Sequence, residues 1–462
     1  MPILPHATWT NFKYVGSFRL PKGKALRDTY GGDFTGNRGG IGLHGTDKMI
    51  VNGYLLADSN NKPSIAEVII PALDSSNTFE ELPIAEMSQG FKNIYAIVDH
   101  HGEAKDALMY CYDYNGLLIG DMINSYDANA IDTHFMWRSD NPNDIVNSNV
   151  EGLFELEGKY NASGWISPVP DEWQTELGYK HIMGNAHNFS ISRRSSIGPS
   201  CFGIDLNQLV SNTVIEPIKT EAFMNYPHAE GRALFATAYP NLIEQYGYRN
   251  VHYNIVIQDD PIKTGLEHVS YPDQSAPLGN DIWAVGSRAA FGFIVPGTST
   301  YAVLGHLTGA KYGVGYKIVD SAGTKFSGYS PYIEDDWSHH IWLFDVNDFL
   351  EVKAGKKLPH EILPYDHHDI DTPWEGINNN SKDRILAGGT FDSVNNRLYL
   401  TVRGADNSKP IIMAYDLAVG AAVPELPPIE EPPVIIPPDT SIEDAKQTLY
   451  DAIDNLVTVL SR

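Results

Sequence analysis

ILAGGTFDSVNNRLYLTVRGADNSKPIIMAYDLAV, residues 385–419, decides how this chain is read. Three apolar runs alternate with two turn signals, the Asn395–Asn396 pair and the Asp406-Asn407-Ser408 stretch. The runs are short and rich in Leu, Tyr, Thr, Val and Ile, which favours strands over helices. Three or four antiparallel strands in roughly thirty to fifty residues make one blade of a β-propeller.

Outward from this stretch the same ending recurs. An apolar strand leads into a polar turn in VIIPALDSS (68–76), FGIDLNQLV (202–210), WLFDVNDFL (342–350) and MAYDLAV (413–419). Further strand candidates are KMIVNGYLLA (48–57), ALMYCYDY (107–114) and YAVLGHL (301–307). Helical signal is confined to short pieces near 171–177, 347–355 and 240–247. The irregular gaps exclude a regular WD40 or kelch array and predict long insertions. The expected fold is all-β: an irregular propeller of about five to seven blades over residues 1–422. A multi-sheet sandwich is the structural rival.

Composition narrows the function. A formal charge of −25 over 462 residues repels phosphate backbones and anionic lipid, so neither nucleic acid nor membrane is an expected partner. No apolar run reaches eighteen residues, and MPILPHATWTNFKY at the start has no signal-peptide pattern. Cys111 and Cys201 lie in strand-like text and read as buried thiols.

Several blocks carry a resemblance. FRLP (18–21) followed by YGG (30–32), then IAEVIIPAL (65–73) and SGWISPVPDEWQTELG (163–178), come in the order seen in a group of uncharacterised propeller-like proteins of bacteria and phages. ISRRSSIGPSCFGIDLNQL (191–209), IWLFDVNDFLEVKAGKKLPHEILPY (341–365) and AGGTFDSVNNRLYL (387–400) continue that similarity. The resemblance implies a propeller. It implies no activity and no site residue.

The end of the chain is of another kind. Seven prolines between Pro424 and Pro438 make residues 423–439 a stiff linker, extended as polyproline II over roughly 45 Å. Thr440 and Glu443 then form a capping-box pattern at the start of a helix predicted over 440–462. Its apolar stripe is Ile442, Ala445, Leu449, Ala452, Leu456 and Val459. Such a stripe on a tether needs a partner: copies of itself, with a homotrimer as one form, or another protein of an assembly.

Three clusters mix carboxylates with imidazoles: Asp99–Asp106, Glu334–His340 and Asp366–Asp371. None has a fixed metal-ligand spacing, and adjacent histidines on a strand face opposite ways, so they read as polar loops. No nucleophile elbow, phosphate loop or dinucleotide fingerprint is present, and no catalytic residue, metal or cofactor is expected. Trp137, Trp337 and Trp374 sit in polar, turn-rich text, with Asp335 and His339 on either side of Trp337 as further ligand-binding candidates. Exposed, they would make a platform for carbohydrate; otherwise they pack under loops. Strut and helix together suggest a non-enzymatic, virion-associated structural or adhesive protein, a phage fibre, spike or decoration protein whose head binds host glycan. The alternative is a carbohydrate-active propeller enzyme, a glycoside hydrolase or polysaccharide lyase. The corresponding location is the virion, or else the cytoplasm or a leaderless export route.

Overall fold

The apolar runs become strands, and the strands assemble in fours. A computed structural model describes residues 4–21, 32–34, 39–55, 62–94, 109–123, 134–186, 198–227, 251–252, 255–256, 282–283, 287–309, 314–316, 329–331, 336–374, 385–406 and 409–418. In chain order the strands are β1 (Phe12–Arg19), β2 (Gly32–Asp33), β3 (Ile41–His44), β4 (Lys48–Leu55), β5 (Lys62–Ile69) and β6 (Glu86–Asn93). There follow β7 (Met109–Tyr114), β8 (Leu117–Ile123), β9 (His134–Ser139), β10 (Val150–Glu155), β11 (Gly164–Pro168), β12 (His181–Asn185), β13 (Cys201–Ile204) and β14 (Thr220–Met224). Next come β15 (Val251–His252), β16 (Ile255–Val256), β17 (Arg288–Ile294), β18 (Thr300–Thr308), β19 (Val314–Tyr316) and β20 (Tyr329–Pro331). The last are β21 (Trp337–Asp345), β22 (Asp366–Asp369), β23 (Leu386–Asp392), β24 (Arg397–Asp406) and β25 (Lys409–Leu417).

Five antiparallel sheets are blades. Blade 1 is β3–β4–β5–β6, with β2 paired to the far end of β4. Blade 2 is β7–β8–β9–β10 and blade 3 is β11–β12–β13–β14. Blade 4 is β17–β18–β21–β22, and blade 5 is β23–β24–β25 completed by β1. A small sixth sheet, β15–β16–β19–β20, is built from segments before β17 and between β18 and β21. The first strands of the blades, β3, β7, β11, β17 and β23, pack on one another in a closed cycle. This is a five-bladed propeller, within the expected range, and not a sandwich.

Stacking blade on blade buries both faces of each sheet. On β5, Ala66 and Val68 pack with Phe18, Tyr399 and Ile412 of blade 5, whereas Ile65 packs with Leu118 and Trp137 of blade 2. On β18 every residue from Thr300 to Leu307 is buried. Strands covered on both faces read as continuous apolar runs, so alternation is weak in the middle of each blade. Trp165, Phe291, Phe293, Tyr301 and Phe391 belong to the largest core cluster, with the Phe293 and Phe391 rings stacked at 4.7 Å.

Closure joins the two ends of the ring. β1 pairs antiparallel with β25 from Phe12↔Leu417 to Arg19↔Ile411. The Arg19 guanidinium then grips Asp406 with two bonds of 3.1 and 3.0 Å, across 387 residues of sequence. Closing the sheet set removes edges that so many short strands would otherwise expose. The inner strands approach too closely for side chains at some points. A Cβ on Gly388 would lie 1.7 Å from the Gly39 carbonyl oxygen, and Gly39 itself has φ +105°.

The predicted helix near 171–177 is present as Asp171–Leu177, and that near 347–355 as Val346–Lys353. The latter starts on Asp345, whose carboxylate accepts from the Asn347 amide at 2.9 Å. The one predicted near 240–247 lies outside the described residues, as do the linker 423–439 and the helix 440–462 with Ile442, Ala445, Leu449, Ala452, Leu456 and Val459. The chain divides into two units, Met1–Val419 and Gly420–Arg462. Cys201 is a buried free thiol, as its sequence context predicts.

Candidate ligand-binding end of the propeller

The inner strands run the same way. The residue before the Gly40–Ile41 start, Gly39, touches Ala387 at the start of β23, and Gly389 of β23 meets Phe291 of β17. Ser167 of β11 donates to the Gly292 carbonyl of β17 at 2.9 Å, and the Gly164 amide at the start of β11 donates to Asp121 of blade 2 at 2.7 Å. One end of the ring is thus the end where every blade begins.

At that end the second strand of each blade carries a polar side chain in an otherwise apolar run. In blade 1 the Asn52 amide donates to the Gly40 carbonyl at 3.0 Å. In blade 2 Asp121 pairs with Tyr110, the second residue of β7. Asn185 pairs with Gly164 in blade 3, and His306 pairs with Arg288 in blade 4. In blade 5 the Arg403 amide donates to the Ile385 carbonyl at 3.0 Å. Asn52, Asp121, Asn185 and His306 are buried; Arg288 and Arg403 are partly exposed. A buried polar group must be hydrogen-bonded, so four of them at one level, with Arg403 as the fifth member, make a specialised layer above an apolar core.

Two of its carboxylates have defined structural roles. Asp121 accepts from the Ser163 hydroxyl at 2.5 Å and from the Gly164 amide at 2.7 Å, fixing the start of β11. Asp406, at the same end of blade 5, binds Arg19 and Lys409, and the Lys409 ammonium also donates to the Leu20 carbonyl at 3.1 Å. Burial raises the Asp406 pKa, but the hydrogen bonds from Arg19 and Lys409 outweigh it and hold the carboxyl below its ordinary range.

The aromatic residues singled out in the sequence part company here. Trp137 is wholly buried between blades 1 and 2, with Ile50, Ile65 and Leu118 around it. Trp374 is also buried, donating from Nε1 to the Ser17 hydroxyl at 2.7 Å and packing on Phe79. Neither offers an exposed face, so the expected platform of three tryptophans does not form; for these two the packing alternative holds. Trp337 is half-buried at the start of β21, opposite Thr308, on the polar end of blade 4. Its ring lies 5.3 Å from that of His339, so these two candidates are brought together. His339 is fully buried, pairs with His306 in register, and shares a 2.8 Å hydrogen bond with Thr372. Asp335 lies outside the described residues, as does the cluster 99–106.

The described parts of the clusters 334–340 and 366–371 are side by side: β21 and β22 pair His340↔Asp369 and Trp342↔His367. Among the described residues no group of three or more His, Cys, Asp and Glu is arranged to hold a metal ion. No helix among them is long and apolar enough to cross a membrane.

The polar layer escaped sequence reasoning because each strand contributes one residue. A signal is nonetheless present. Apolar residues, a glycine and a polar residue meet at the end of each second strand: IVNG (50–53), IGD (119–121), MGN (183–185), LGH (304–306) and VRG (402–404).

Fold and layer define the class: a five-bladed β-propeller with a layer of polar side chains at the end where its inner strands begin. No family model and no curated protein matches the chain. Among solved structures it is similar to one described with the GH130 family of mannoside phosphorylases, which contains glycoside hydrolases targeting β-1,2-mannosidic linkages in Candida mannan. That match has 10% identity and a TM-score of 0.40, and covers 90% of this chain and 96% of the other. A glycosyl hydrolase from Bacteroides ovatus matches with 10% identity and a TM-score of 0.38, covering 89% and 93%. At these values the similarity says nothing of activity.

Proposed function

We propose that the propeller recognises a carbohydrate at the end where its inner strands begin. The observation that carries this reading is the polar layer of Asn52, Asp121, Asn185 and His306, flanked by Arg288, Arg403 and half-buried Trp337. Amides both donate and accept, as sugar hydroxyls do, and an indole supplies an apolar face for a pyranose ring. The net charge of −25 disfavours a polyanionic ligand. Asp121 and Asp406 are engaged in structural bonds. Neither is assigned a role as acid or base, and the reading proposed is the adhesive one.

The test is a glycan array with the full chain, followed by calorimetry on the best ligand and an assay for new reducing ends. Binding that falls at least tenfold in Asn185→Ala or Arg403→Ala supports the proposal. Binding untouched by both, or no glycan bound, rejects it. New reducing ends would convert the protein into a carbohydrate-active enzyme.

Membership in the bacterial and phage group and a place on a virion are further proposals. They rest on the sequence blocks and on residues 424–462. Light scattering is expected to give an oligomer for the full chain and a monomer for a chain ending at Ala422. Two monomers, with no particle or partner bound by the full chain, would remove the anchoring role.

A further inference from the structure

The paired strands β21 and β22 create a second polar site at the outer edge of blade 4. Residues alternate across a strand, so His340, Trp342, His367 and Asp369 share one face. Asp369 accepts from His340 Nδ1 at 2.8 Å and also from the Ser338 hydroxyl. An ionised carboxylate only accepts, so His340 carries its proton on Nδ1 and presents the lone pair of Nε2 to His367. That nitrogen lies 3.3 Å from His367 Nδ1.

The separation is informative. It is within hydrogen-bond reach and also fits two ligands of one ion. Two nitrogens at about 2.0–2.1 Å from one tetrahedral ion stand about 3.3 Å apart. The surroundings suit a metal ligand. The Asp369–His340 bond is the carboxylate–imidazole support that orients metal-binding histidines. The Trp342 ring, 4.7 Å from His340, forms an apolar floor, and its Nε1 is engaged with the Ile282 carbonyl at 2.6 Å. His340 is 2% exposed, whereas the Asp369 side chain is 63% exposed on the outermost strand, which leaves a way in.

The geometry points to an open, two-histidine site for an imidazole-preferring divalent cation, zinc or copper, held by His340 Nε2 and His367 Nδ1 with Asp369 as the positioning residue. The remaining coordination positions belong to water or to a ligand of the ion. A charge of −25 raises the local cation concentration around the chain.

The experiment is calorimetric titration of the chelator-treated full chain with zinc chloride, repeated with copper chloride. His367→Ala is expected to remove one saturable site or weaken it at least tenfold. Asp369→Asn should weaken it by about 10–100-fold. His368→Ala, on the opposite face of β22, should leave it unchanged. His367→Gln serves where the alanine variant melts early. The inference is overturned if the wild type has no saturable site, or if both His367 variants titrate like wild type, which would leave a plain hydrogen-bonded histidine pair.

Discussion

Glu67 shows how a single side chain ties the four strands of blade 1 together and makes its stability depend on pH. It is fully buried on β5, where His44 of the inner strand bonds one carboxylate oxygen. The Ser88 hydroxyl reaches the other at 2.6 Å, with the Lys48 ammonium 3.6 Å away. Burial alone would raise its pKa; the hydrogen bonds from His44, Ser88 and Gln89 together outweigh that and bring it to about 2. The same hydrogen bond to Glu67 raises His44, against the opposing effect of burial. The signs follow from linkage. The Glu67 contribution is full above about pH 4.5 and is lost as pH falls toward about 2. The His44 contribution is full below about 6.5 and is lost as pH rises through its raised value. Wild type should therefore exceed Glu67→Gln in urea stability by the widest margin between about pH 4.5 and 6.5, narrowing on both sides. A margin independent of pH would show that the pair is not ionic.

At the scale of elements, β1 is the strand on which closure depends, and Asp406 secures its end. Asp406 and the Lys409 side chain are 1% and 7% exposed, so removing the carboxylate strands a buried ammonium and frees Arg19. Breaking a buried pair on one side costs about 3–5 kcal/mol. Asp406→Ala should lose stability of that order, and amide exchange should quicken first in Phe12–Arg19. Equal exchange in wild type and variant would mean that strand pairing alone holds β1. The elements themselves were largely legible. The four recurring endings in the sequence are the third strands of blades 1, 3, 4 and 5: β5, β13, β21 and β25. Blade 2 lacked the signal because its third strand, HFMWRS, carries Arg138 next to its end, which binds Glu151 and the Leu209 and Ser211 carbonyls. β22 was hidden for another reason. DHHD looks like a loop, yet charged side chains suit an outermost strand, where they discourage pairing with another chain. The blade number was unreadable because the strand that completes blade 5 comes from the other end of the chain.

At the scale of the molecule, the ring has two unlike ends. The described connections 45–47, 115–116, 295–299 and 393–396 lie at one, with the N-terminal segment strapped across blade 4 there: the Ser299 amide donates to the Pro5 carbonyl and the Ala7 amide to the Thr300 hydroxyl. The polar layer lies at the other. Sequence pointed to tryptophans for recognition because isolated aromatics stand out in polar text. It missed the layer because five single residues converge only after the ring closes. The most direct measurement is a density map of the full chain with its best glycan from the array. The account predicts sugar at the end of the ring where β3, β7, β11, β17 and β23 begin, within hydrogen-bond reach of Asn185 or Arg403. Sugar seated at the opposite end, or along the outer edge of a blade, would contradict it.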